Sequence, residues 1–146
     1  MKTRLDILLI DDDGADVAFF DIAVDKTGLN INLRTLTSGQ QAIDYLEGKG
    51  EYGERSLHPL PDAIVLDLRM PKMNGFDFLA WRKASFLVSR IPVVVFTGLI
   101  AHDEIKRVLE LGATRHIVKP EDFEEWEKVV REIWDLASQG TALLRQ

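Results

Sequence analysis

Cysteine is absent from all 146 residues, which excludes disulfide frameworks, thiolate zinc sites and cysteine nucleophiles. Long hydrophobic runs are absent too. The longest apolar stretches, such as Ile91–Phe96, are far too short to cross a bilayer. The two cations of Met1-Lys2-Thr3-Arg4 are followed by Asp6 and then Asp11-Asp12-Asp13, so there is no leader-like apolar segment and a cytoplasmic location is expected. Basic charge is the minority sign: 18 Lys+Arg against 24 Asp+Glu leave a net charge of −6, with no cationic stripe to suit nucleic acid. A Gly-rich nucleotide fingerprint, internal repeats and low-complexity segments are also missing. What remains is 46% apolar and 29% charged residues, an ordinary composition for one domain able to bury its own core.

Five short β-branched runs alternate with five stretches of helical period. Leu5–Ile10 is nearly continuous in apolar residues, as expected of a strand covered on both faces. Asp13 can cap the helix that follows, which stops at Gly28. Ile31–Leu36 alternates and predicts a strand nearer the sheet edge. Ser38-Gly39-Gln40-Gln41 has the form of a capping box, opening a helix that ends near Gly48. Residues 48–61, rich in Gly and Pro, read as a surface loop. Ala63–Leu66 predicts a third, buried strand, Phe76–Phe86 a helix, and Ile91–Phe96 a fourth strand with Pro92 at its start. Ala101–Leu111 predicts a helix, Arg115–Val118 a fifth strand and Glu121–Ala137 a last helix with Trp126 and Trp134 on its packing stripe. Alternation of this kind predicts an α/β fold, a doubly wound parallel sheet of five strands with helices on both faces. The domain spans 1–138, and 139–146 is expected as a tail in which Ala142, Leu143 and Leu144 provide some apolar surface.

Ligands of open parallel sheets bind at the carboxyl ends of the strands. After the first strand stand Asp11, Asp12 and Asp13; Asp67 follows the third, Thr97 the fourth and Lys119 the fifth. Clustered carboxylates are costly unless a cation neutralises them, and oxygen-only ligands favour Mg²⁺. A lysine and a hydroxyl nearby suit a phosphoryl group, and Asp67 can act as the nucleophile that carries it.

Four motifs stand in order at strand ends: Ile7-Leu8-Leu9-Ile10-Asp11-Asp12, Ile64-Val65-Leu66-Asp67-Leu68-Arg69-Met70-Pro71-Lys72-Met73-Asn74-Gly75, Val93-Val94-Val95-Phe96-Thr97-Gly98 and Val118-Lys119-Pro120. With them the chain resembles the receiver domain of two-component response regulators, over essentially residues 5–137. The resemblance implies a flavodoxin-like strand order, 2-1-3-4-5. It implies that Asp11, Asp12, Asp67 and the backbone carbonyl of Arg69 hold Mg²⁺ and that Asp67 is the phosphoacceptor. Thr97 and Lys119 would each bond a phosphate oxygen, and His116 would be the residue that swings on activation. It further implies a cis Lys119–Pro120 bond, and room beside Thr97 at Gly98 for a donor or water.

Simpler readings compete at several positions. Asp13 needs no role beyond its cap, and Pro71 and Gly75 fit ordinary turns. Thr97 fits a plain strand residue, Lys119 a solvated one, and His116 a half-buried imidazole. His58 and His102 lack metal-site spacing and read as surface residues. Arg69 departs from the smaller side chains expected two residues after the acceptor; it could reach the phosphoryl group or screen it from water.

The whole chain reads as a receiver with no output domain. It is expected to take a phosphoryl group from a histidine kinase and pass on a conformational signal, or the phosphoryl group itself as in a phosphorelay. It would catalyse at most its own phosphorylation and dephosphorylation. The loop at 48–61, the long last helix and the tail resemble stand-alone receivers that associate with bacteriophytochrome-type kinases, which implies such a kinase, a downstream protein and a homodimer. Two other readings compete. A haloacid-dehalogenase-type phosphatase wants a second Asp where Arg69 stands. A phosphorylation-independent adaptor is expected to have lost part of the site, and no part is missing.

Overall fold

Strand β1 (Leu5–Ile10) is buried at every position because helices cover it on both sides. The computed structural model describes residues 3–144. After β1 come α1 (Gly14–Thr27), β2 (Ile31–Leu36), α2 (Gly39–Glu47), β3 (Ala63–Leu66), α3 (Gly75–Ala84), β4 (Val93–Thr97), α4 (His102–Glu110), β5 (Arg115–Val118) and α5 (Phe123–Leu144). The strands form one parallel sheet in the order β2-β1-β3-β4-β5, with β2 at an edge as its alternation predicts.

Strand alternation divides the core in two. Leu8, Ile10, Ile64, Leu66, Val93 and Val95 face α2, α3 and α4. Ile7, Leu9, Ala63, Val65, Val94 and Phe96 face α1 and α5, where Phe20, Trp126, Val130 and Ile133 complete the layer. Trp126 meets Phe96 edge-on, with ring centroids 5.1 Å apart. The indole stripe expected on the last helix is therefore core packing.

Helix starts follow local chemistry. The Asp13 side chain accepts from the amides of Ala15 (2.9 Å) and Asp16 (3.1 Å), and Gly28 closes α1 in the left-handed conformation (φ 70°). Ser38 accepts from the Gln41 amide at 3.1 Å. The Gln41 side chain reaches past it to the Thr37 amide (3.0 Å), so the box closes one residue earlier than its usual form. Asn74 caps α3, accepting from the Asp77 amide at 3.1 Å.

Several boundaries differ from expectation. Helix α3 ends at Ala84, because Ser85 turns extended and its hydroxyl accepts from the Val88 amide. β4 starts at Val93, after Pro92, which has no amide to give the ladder. α5 starts at Phe123, after a turn in which the Glu125 amide bonds the Asp122 carbonyl, and continues through Leu144. Most of the segment expected as a tail from Gln139 is thus helical backbone. Residues 145–146 and the side chains of Ala142, Leu143 and Leu144 lie outside the described residues.

The 48–61 loop is held down rather than loose. Arg55 donates to the carbonyls of Tyr45 (2.8 Å) and Leu46 (2.7 Å), satisfying the open end of α2. His58, expected on the surface, is half-buried edge-on against Tyr45 and Tyr52, and His102 is exposed as expected. Among the described residues no helix is long and apolar enough to cross a membrane.

Candidate functional site

In-register pairing carries the ends of four strands to one rim. Ile10 pairs with Leu66, Leu66 with Val95, and Thr97 with Val118. Backbone bonds extend the ladders one step further: the Asp67 amide donates to the Ile10 carbonyl (3.0 Å) and the Lys119 amide to the Thr97 carbonyl (2.9 Å). Asp11, Asp12, Asp67, Thr97 and Lys119, distant in sequence, meet there. Asp13 stays with its cap.

Asp67 is buried, and both of its oxygens are engaged. The Thr97 hydroxyl (3.0 Å) and the Arg69 amide (3.2 Å) donate to Oδ1, while Lys119 Nζ lies 3.4 Å from Oδ2. Lys119 also contacts Asp11 at 3.0 Å and Asp16 at 2.6 Å. Asp11 is buried, and that burial pushes its carboxyl up to about 6, against the opposing pull of the Asp13 amide and Lys119. Burial alone would push Lys119 down. Hydrogen bonds to Asp16 and Asp11 outweigh it and hold the ammonium above the ordinary lysine range. The result is an open cleft with Asp12, Asp16, Asp67, Arg69, Thr97 and Lys119 in its lining.

Residues 7–131 match the family model described as the response regulator receiver domain. The chain belongs to the response regulator receiver family. The probable methanogenesis regulatory protein FilR2 of Methanothrix harundinacea is 35% identical over 127 residues, 87% of this chain and 79% of that one. Response regulator Rcp1 of Synechocystis is 33% identical over 127 residues, 87% of this chain and 84% of that one. A solved structure of the Mn²⁺-bound form of Rcp1 superposes with a TM-score of 0.78 at 31% identity, covering 88% of this chain and 91% of that one. The phosphorylated cyanobacterial phytochrome response regulator RcpA superposes with a TM-score of 0.81 at 31% identity, covering 89% and 91% of the two chains. These neighbours share the flavodoxin-like receiver fold seen here.

Within this receiver, one expected feature is corrected. The Lys119–Pro120 bond is trans, not cis. Trans is the favoured isomer of X–Pro bonds by about 0.5–1 kcal/mol. Here Trp126 fixes the following turn by donating its indole N–H to the Pro120 carbonyl at 3.0 Å, while Lys119 reaches the rim carboxylates.

Two acidic residues that no sequence motif marks also join the site. Asp16 stands in the first turn of α1 and lines the cleft together with Asp12, which precedes the helix. Glu104, in the first turn of α4, accepts from the Arg69 guanidinium at 2.7 Å and from the Ala101 amide at 3.1 Å. The pair holds Arg69 above, and Glu104 below, their ordinary values, each through the hydrogen bond to the other. The Arg69 side chain thus turns toward α4. His116 is half-buried on β5, opposite Val95.

Glycine matters at one position more than at the other. A Cβ on Gly75 would stand 2.8 Å from Leu68 Cα and 3.1 Å from the Asp67 carbonyl oxygen, so only glycine lets α3 start against the end of β3. At Gly98 a Cβ would meet open space, consistent with the room expected beside Thr97.

The acidic group suits a divalent cation. Asp11, Asp12 and Asp67 each offer a carboxylate oxygen, all within 4.8 Å of one another. Oxygen-only donors at that spacing match a hard cation, whose charge would offset the burial that raises the Asp11 carboxyl.

Proposed function

We propose that this receiver takes a phosphoryl group from a sensor histidine kinase onto Asp67, in a Mg²⁺-dependent reaction. The observation that carries the reading is the setting of Asp67: a buried carboxylate between the Thr97 hydroxyl and the Lys119 ammonium, beside the Asp11–Asp12 pair. A carboxylate oxygen of Asp67 attacks phosphorus; the new O–P bond forms as the N–P bond of the phosphohistidine breaks, and the electron pair returns to the imidazole. Asp11, Asp12, Asp67 and the carbonyl of Arg69 would hold the cation, whose charge offsets that of the phosphoryl oxygens. Thr97 and Lys119 each bond a remaining oxygen.

The signal follows from charge. A phosphoryl group adds about −1.5 to −2 beside Thr97 and Lys119. Their movement toward it biases the surface made by α4, β5 and α5, and His116 changes burial in the same event. That surface then binds a downstream protein differently. The chain acts in the cytoplasm and catalyses no reaction beyond gain and loss of its own phosphoryl group. Similarity to the phytochrome response regulator RcpA supports a bacteriophytochrome-type kinase as the donor. A homodimer is the working assembly we propose beside it.

Intact-protein mass after incubation with acetyl phosphate and Mg²⁺ tests the reading, beside an Asp67→Asn control. One phosphate adduct is expected, dependent on Mg²⁺ and absent from the variant. No adduct, from acetyl phosphate or from a kinase, would replace the reading with that of a phosphorylation-independent adaptor.

A further inference from the structure

The Lys119 ammonium is shared by three carboxylates, and its shortest contact is to the one outside the receiver motifs. Asp16 Oδ2 lies 2.6 Å from Nζ, against 3.0 Å for Asp11 and 3.4 Å for Asp67. The Lys119 side chain retains 10% exposure, so the ammonium is held inside the cleft. The Asp16 side chain retains 24%, and it joins the cleft from α1.

We propose that Asp16 is a positioning residue for the phosphoryl-transfer site, anchoring the Lys119 ammonium in the unphosphorylated protein and competing for it with an incoming phosphoryl group. The inference rests on the phosphoacceptor reading of Asp67. An ammonium has three donors and no acceptor, and here three carboxylates face them. Two of those carboxylates have other work: Asp11 belongs to the cation group, and Asp67 receives the phosphoryl group. Asp16 belongs to neither. A phosphoryl oxygen that bonds Lys119 must therefore displace Asp16 or share the ammonium with it, while facing its negative charge. Asparagine has nearly the same shape and keeps an acceptor oxygen but carries no charge, so Asp16→Asn separates competition from packing.

The test uses the full chain and beryllofluoride, a tetrahedral phosphoryl mimic, in the presence of Mg²⁺. Wild type, Asp16→Asn and Asp16→Glu are compared by ¹⁹F NMR titration and by the decay of the phosphate adduct in intact mass. Asp16→Asn is expected to bind the anion about two- to fivefold tighter, the range of a partly exposed ion pair. Its adduct should last longer by a similar factor, with a shifted ¹⁹F resonance for the fluorine beside Lys119. Asp16→Glu, which keeps the charge, should restore the wild-type affinity. A purely structural role would lower the melting temperature of Asp16→Asn and leave the resonance in place, and that result overturns the inference. So does unchanged or weaker binding. If Asp16→Asn folds poorly, Asp16→Ala decides in the same way. Wild type that binds no beryllofluoride and gains no adduct removes the phosphoacceptor reading itself, whereas normal wild-type binding with an indifferent Asp16→Asn removes only the role of Asp16.

Discussion

The Arg69 guanidinium is bound to Glu104 at 2.7 Å, tying the loop two residues after Asp67 to the first turn of α4. The Arg69 side chain is 53% exposed and lines the cleft. If it screens the acceptor from water, Arg69→Asn should shorten the lifetime of the phosphate adduct. An exposed ion pair supports a change of about two- to fivefold. Decay of the adduct in intact mass measures it, and an unchanged lifetime removes the screening role. Glu104→Gln should give a smaller change, since the guanidinium remains in place but loses its charged partner.

Thr97 donates its hydroxyl to a buried carboxylate oxygen. Thr97→Val keeps the β-branched shape and deletes the donor, so Asp67 Oδ1 is left with the Arg69 amide alone among these partners. A loss of about 1 kcal/mol in unfolding free energy is expected. Urea denaturation reads it directly; a variant as stable as wild type would mean that water takes over the bond.

The close approach at Gly75 leaves no room for a methyl group. Gly75→Ala should force the α3 start away from β3 and lower stability by about 1–3 kcal/mol. Thermal melting checks this, and because Asp67 lies at the same strand end the adduct yield should fall as well. An unaltered melting temperature would show that α3 can shift freely.

The Asp11 carboxyl, raised by burial to about 6, sets the sign of a pH effect. A carboxyl whose value rises on folding contributes stability at low pH and loses it as pH climbs through about 6. At neutral pH the ionised, buried Asp11 opposes folding, and a cation offsets that. Mg²⁺ should therefore raise the melting temperature more at pH ~7.5 than at pH ~5, where protons already occupy Asp11. Asp11→Asn should melt higher than wild type without metal at neutral pH and lose most of the Mg²⁺ response. Equal Mg²⁺ shifts at both pH values would contradict the account.

What could be read from residues alone was whatever a strand end determines. Asp11, Asp67, Thr97 and Lys119 each follow an apolar run, so parallel pairing had to collect them on one rim. Asp16 and Glu104 were invisible for a physical reason. Acidic residues in a first helical turn are common because they complement the helix dipole, and nothing in the pattern marks which ones also meet a cation. Arg82 was equally opaque. It looks like a polar position on α3, yet it is buried and donates to the carbonyls of Ser89 and Ile91, just beyond the helix, and of Gly112, 30 residues along the chain. The Lys119–Pro120 isomer depended on family likeness, and the local bond from Trp126 to the Pro120 carbonyl accompanies the opposite one.

The 48–61 loop enters β3 at the amino edge of the sheet, and all the rim residues leave from the carboxyl edge. Two different restraints therefore hold the two ends of the sheet. Arg55 and His58 fasten the loop to α2 by side-chain contacts, while strand register guards the spacing of Asp11, Asp67, Thr97 and Lys119. A change in the loop's fastening leaves the geometry of the opposite rim untouched.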